Sequence, residues 1–341
     1  MSVWTRGALT RRLLRTPGGA AALVALVCIA LALVAVLVPT GIQALRDDGV
    51  RSALASLAPG ARDVVSTSAG QPAVGGSCGA SADASCTPRY PDPAADAVYG
   101  AFGAGLSALR DAQPQPLRDV LGDPDFVVRS APFDLEKREG REVFDAVVFL
   151  ETPDLAADAT LTAGAWPAAR ERQADDPAGL GADPSVTIEV ALSTVTARDL
   201  DWQLGASRRL SLSGFAGDVT VVLTGTFDAA PGSDDFWYHA DAVTTPTTRY
   251  VGDDIHMTAT AVSAPGGGML SGLVRTTTWY PFESDGADAA NADALARQLR
   301  AFTAVAQALP VDATGAAGQQ GVIRALTFRA GAFDTIDRAL A

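Results

Sequence analysis

The chain has 341 residues and a formal charge of −13, from 26 basic and 39 acidic side chains. That length supports one or two domains with a real core. That charge argues against binding nucleic acid or an anionic membrane surface.

Residues 1–19 carry Arg6, Arg11, Arg12 and Arg15 and no acidic side chain. Trp4, Leu9, Leu13 and Leu14 lie among them, the pattern of a short amphipathic helix at a membrane interface. Residues 20–38 are nineteen consecutive apolar residues. At about 1.5 Å rise per residue they span roughly 28 Å, close to the hydrocarbon thickness of a bilayer. The arginine bias predicts a cytoplasmic N-terminus and an extracytoplasmic remainder at the cell membrane. A cleaved signal peptide is the rival reading. It needs a shorter apolar stretch and a small-x-small site, and Val38-Pro39-Thr40-Gly41 is a poor one. Beyond the four leading arginines there remain 22 basic against 39 acidic residues, a net charge of −17.

Ile42, Leu45, Val50, Leu54 and Leu57 recur at near-helical spacing up to Pro59-Gly60. They predict a stalk helix over residues 39–58 that continues the span. Residues 62–69 read as a first strand. A loop over 70–93 is rich in Gly, Ser and Pro and holds Cys78 and Cys86. An extracytoplasmic compartment permits a disulfide between them, with two free thiols as the alternative. Cys28, inside the span, reads as an apolar thiol. Gly75-Gly76-Ser77-Cys78-Gly79 matches G-x-S-x-G, but no strand precedes it and no helix follows, as a hydrolase elbow requires.

Residues 94–112 place Val98, Phe102, Leu106 and Leu109 on one helical face. Strands follow over 125–131 and 143–151, with a charged turn between them. A third strand, over 159–164, ends at Gly164-Ala165-Trp166-Pro167. Residues 185–193 alternate Val186, Ile188, Val190 and Leu192, a half-buried strand. Thr194 is read as the N-cap of a short helix through Trp202. Residues 208–213 and 219–227 read as a hairpin, and residues 234–238 as a loop with aromatic residues. Strands over 255–264 and 274–280 follow, then a helix over 291–309 bearing Leu295, Leu299, Phe302, Val305 and Leu309. A last strand over 321–329 precedes a helix start with Phe333, Ile336 and Leu340 on one face.

These features resemble the first part of an FtsX-like (MacB-type) ABC transporter permease. The resemblance rests on three things. The first is the layout of basic N-terminus, span and outward helix. The second is Leu161-x-x-Gly164-x-Trp166-Pro167. The third is the succession from Val190 through Leu200, Leu204-Gly205, Leu210-x-Leu212 and Val219-x-Val221-x-x-x-Gly225 to Phe236-Trp237. Ala206 departs from the aspartate often found after that glycine. The resemblance implies a non-enzymatic protein whose partners are a cytoplasmic ABC ATPase subunit and the rest of the permease or a second copy. It implies export of a lipid, lipoprotein or peptide, or activation of an envelope partner. Family members continue into further spans, so residues 331–341 read as the start of a second stalk. The alternative is a single-pass anchored ligand-binding or scaffold protein.

The expected fold is α+β, since strands and helices mix without a regular βα repeat. One extracytoplasmic domain covers residues 59–330, with a lobe of about 185–264 inserted into it. No phosphate-binding loop or H-E-x-x-H motif occurs, and no cofactor is implied. His239 and His256 lie near acidic pairs, but such loops are commonly solvated faces in a chain this acidic. Trp237, Tyr238, Trp279 and Tyr280 are candidates for a partner surface, against ordinary packing at the core's edge.

Overall fold

The computed structural model describes residues 18–70, 72, 99–137, 143–153, 155–168, 186–211, 219–240, 243–252, 254–265, 274–309 and 323–330. Cys78, Cys86, Val98 and residues 1–17 and 331–341 lie outside them, and with them the disulfide, the amphipathic segment and the second stalk.

Helix α1, Gly18–Ala55, runs unbroken for 38 residues. It passes through Pro39, which has no N–H to give to the preceding turn. There Thr40 Oγ1 donates to the Leu37 carbonyl at 3.0 Å. The helix has two regimes. Val24, Leu26, Ile29, Leu33, Ile42 and Leu45 are exposed, whereas Val50 and Leu54 are buried in the core of the following domain. The expected stalk stripe is therefore split: its first two members face away from the domain and its last ones dock into it. Asp47 secures the docking by accepting from Ala289 N at 2.9 Å. Among the described residues no helix is long and apolar enough to cross a membrane.

A sharp corner follows α1. Helix α2, Pro59–Arg62, is one turn with proline at its start, where a missing N–H costs nothing. Strand β1, Val64–Ala69, leaves from it. The remaining strands are β2 (Asp125–Arg129), β3 (Phe133–Asp134), β4 (Val143–Glu151), β5 (Ala159–Gly164), β6 (Val186–Ser193), β7 (Ser207–Arg209), β8 (Val219–Ala229), β9 (Thr247–Val251), β10 (Asp254–Val262), β11 (Arg275–Tyr280), β12 (Gln307–Ala308), β13 (Ala325–Leu326) and β14 (Phe328–Ala330). Among the described residues, twelve of them form one mixed sheet ordered β14-β1-β11-β2-β4-β10-β6-β8-β5. Strands β3, β7 and β9 pair beside β4, β8 and β10, and β12 pairs β13 apart from the sheet. The β4/β10 and β6/β8 pairs are parallel. The protein is thus a mixed α+β fold around a large sheet.

Three hydrophobic cores share this sheet. The first gathers Val50 and Leu54 with helix α3 (Gly100–Asp111), the one-turn helix α4 (Leu117–Val120), helix α8 (Ala292–Ala304) and strands β2, β11 and β14. Phe102, Leu106 and Leu109 line it from α3, and Leu295, Leu299 and Phe302 from α8, at the spacing that places them on one helical face. The second joins β4, β6, β8 and β10 through Val147, Phe149, Val190, Leu192, Val221 and Leu223. The third lies on the other face of the sheet, around Val127, Leu150, Phe227, Phe236 and Trp279. Of these, Val127, Leu150 and Trp279 alternate along their strands with residues of the first two cores.

Several elements differ from expectation for local reasons. Ser193, not Thr194, caps the short helix α6, Thr194–Asp199, because its hydroxyl accepts from Thr196 N. Residues 234–238 are not a loop. They form helix α7, Asp234–His239, with Asp234 and Asp235 in the first turn and His239 in the last. The helix over 291–309 ends at Ala304, and Val305 beyond it is extended and exposed. Strand β9 was not expected. It folds back on β10 through Gly252, whose φ of +64° suits glycine. Gly164 has φ +77°, and a Cβ there would sit 2.1 Å from the Thr224 carbonyl. The Gly164-x-Trp166 pattern is thus the close approach of β5 to β8.

Candidate functional site

The corner between α1 and β1 carries a buried polar cluster. Asp63 is the last residue before β1 and is 1% exposed. Its Oδ1 accepts from Phe282 N at 3.0 Å, just after β11, and from Arg62 Nε at 3.0 Å. His239 Nε2, at the end of α7, donates to its Oδ2 at 2.8 Å. A buried carboxylate needs such partners, since desolvation without them is costly. The His239 ring stacks on Trp279, with centroids 4.7 Å apart and planes at 22°.

A second tie runs outside this one. Arg62 donates to Asp235 Oδ2 at 2.6 Å. Burial alone would lower the Arg62 pKa, but its hydrogen bonds to Asp235 and Asp63 hold it above the ordinary arginine value. Tyr238 lies against the backbone of α2, where a Cβ on Gly60 would come within 2.5 Å of Tyr238 Cε1. The corner is therefore fastened to α7 at three points: Asp63–His239, Arg62–Asp235 and Gly60–Tyr238.

The four aromatic candidates are placed by these contacts. Trp279 and Tyr280 are buried in the third and first cores. Tyr280 donates its hydroxyl to the Leu106 carbonyl at 2.8 Å, and burial pushes its phenol pKa up. Trp237 is half-buried and donates Nε1 to the Asp158 carbonyl at 2.9 Å. Tyr238 alone of the four is exposed. They do not form one partner surface, because β11 is an interior strand with both faces covered and α7 turns Trp237 inward.

His256 stacks on Phe144 at 5.0 Å. Among the described residues no group of His, Cys, Asp and Glu has the arrangement of a metal site.

A cleft of about 480 Å³ is lined by Glu136, Lys137, Asp201, Trp202, Arg208 and Arg209. Its inner wall is a buried ion pair. Arg208 bonds Asp145 Oδ2 at 3.0 Å and the carbonyls of Leu200 and Asp201, and lies 4.5 Å over the Trp202 ring. Arg208 thus serves the wall of the cleft, and mixed charge lines its mouth.

Sequence reasoning missed Asp63 altogether. Its partner His239 is 176 residues away. One signal was present: acidic residues leading Phe236-Trp237-Tyr238 with histidine behind, the charge order that suits a helix dipole.

No protein-family model matches the chain, and no curated protein matches it. Among solved structures it is similar to a domain of a Porphyromonas gingivalis protein assigned as a permease. The likeness is 13% identical, covers 70% of this chain and 82% of that one, and has a TM-score of 0.29. Overlap this loose shows neither family nor function.

Proposed function

We propose that this chain is a membrane-inserted rod with an extracytoplasmic domain, the first part of an FtsX-like, MacB-type permease of an ABC transporter. In this reading residues 20–38 cross the membrane and the N-terminus is cytoplasmic. A separate ABC ATPase drives the rod. Its movement reaches the outer domain, which exports a lipid, lipoprotein or peptide or activates an envelope partner.

One observation carries the reading. Helix α1 is continuous from Gly18 to Ala55, and its far end is built into a packed core. An anchor alone needs only a tether. A rigid helix of about 1.5 Å per residue, buried at one end, transmits displacement.

The test uses the complete permease, assembled with its ATPase in membranes. The ATPase subunit is expected to co-purify. A flexible Gly-Ser insertion after Gly41 is expected to leave assembly intact and uncouple ATP hydrolysis from transport. A permease that stays coupled with this insertion would reduce α1 to an anchor. A chain that recovers no ATPase from its own membranes would overturn the permease reading.

A further inference from the structure

The sheet order places six strands between β1, which starts at the corner, and β5 at the far edge. Helix α7 bridges that gap directly. Its C-terminal end is bolted to the corner through His239 and Asp63. Asp235 and Tyr238 also meet the corner, whereas Trp237 and the preceding Ser233 reach the far edge. Trp237 Nε1 and Ser233 Oγ both donate to the Asp158 carbonyl, at 2.9 and 3.0 Å, and Ala230 N donates to the same oxygen at 2.9 Å. Asp158 ends the short helix α5, Leu155–Asp158, and runs straight into β5. The Trp237 ring also stacks on Phe227 of β8 at 5.8 Å.

We propose that α7 is a lever, with the Asp63–His239 bond as its joint, that passes displacement of the α1 end into the β5/β8 edge. The joint suits the task. Asp63 and His239 are 1% and 4% exposed on their side chains, so neither water nor a rotated neighbour replaces the bond gradually. Chains of packed side chains and buried hydrogen bonds of this kind are the physical medium of coupling over distance. The exposed Arg62–Asp235 pair keeps the arm aligned while the buried joint transmits. The lever deepens the permease reading and rests on it for direction, membrane to outer domain. The contacts themselves need no ATPase, so their test is separate from that reading.

The experiment is hydrogen exchange on the full chain in lipid nanodiscs, wild type against His239→Phe. The substitution keeps a ring on Trp279 and removes Nε2. Amides of Trp237 and Ala240 in and beside α7, and of Ala230 and Ala165 beyond it, are expected to exchange roughly tenfold faster. Gly70 and Gly122, bonded to the Val274 and Pro281 carbonyls, are expected to keep wild-type rates. A gentler variant, Arg62→Gln with Asp235→Asn, leaves Asp63–His239 in place and is expected to move the same amides by a smaller factor. Faster exchange that stops at α7, leaving Ala165 and Ala230 unchanged, overturns the lever. So does a uniform increase over all six amides in both variants.

Discussion

Two buried carboxylates divide the labour of this molecule. Asp145 meets Arg208 at 3.0 Å beneath the cleft, and Asp63 meets His239 at 2.8 Å at the corner between α1 and β1. Each basic partner lies on a tryptophan, Arg208 on Trp202 and His239 on Trp279. The difference lies in where the partners come from. Asp145 and Arg208 sit 63 residues apart around one core, and Arg208 spends further donors on the carbonyls of Leu200 and Asp201. Asp63 and His239 come from opposite sides of the sheet order, and the imidazole gives this contact a single donor. The same chemistry stiffens a module in one place and joins modules in the other.

The comparison is broken most forcefully at Arg208. Arg208→Ala leaves Asp145 buried without its guanidinium and removes the cover from Trp202. The expected loss is about 3–5 kcal/mol, the usual result of removing one member of a buried ion pair. Thermal unfolding of the full chain in detergent measures it. If Arg208 only decorated the cleft, the loss would stay below about 1 kcal/mol, as at an exposed pair.

His239→Phe comes next, with an expected loss of about 1–3 kcal/mol, the cost of one buried acceptor left unmade. The ring stack on Trp279 survives, and Asp63 keeps Phe282 N and Arg62. A smaller effect than at Arg208 is therefore part of the expectation. An equal or larger one would mean that the corner holds the fold itself and does not merely join its parts.

The contrast also marks what the sequence made legible. Alternation at Ile188, Val190 and Leu192 identified β6, and helical spacing at Leu295, Leu299 and Phe302 identified α8. Both signals are local and follow from the periods of strand and helix. The order of the strands was not legible. The parallel neighbour of β10 is β4, more than a hundred residues earlier, and no local pattern encodes that pairing. Strand β11 misled for a related reason. Thr276 and Thr278 are fully buried on one face of the sheet with Tyr280, and Trp279 is buried on the other. Trp279 and Tyr280, expected to meet a partner outside, are packed within, and Tyr238 alone stays exposed. Both carboxylate pairs were invisible in the same way, because acidic residues are too common here for any one to stand out.

The smallest expected effect sharpens the comparison from the outside of the corner. Arg62 touches both Asp63 and Asp235, but Asp235 is 60% exposed, so water screens that contact. Arg62→Gln is expected to cost about 0.5–1 kcal/mol, and less as salt rises. The pH dependence follows from the sign of the shift. Arg62 has a pKa raised on folding, so its contribution is fully present below the unfolded arginine pKa and fades only above it. Across the range where the protein is handled the loss is expected to be flat with pH. Unfolding of Arg62→Gln at several pH values checks this. A loss that changes within that range would mean that the contact reports the ionisation of its neighbours in the corner, and the buried joint and the exposed tie would then be one coupled unit.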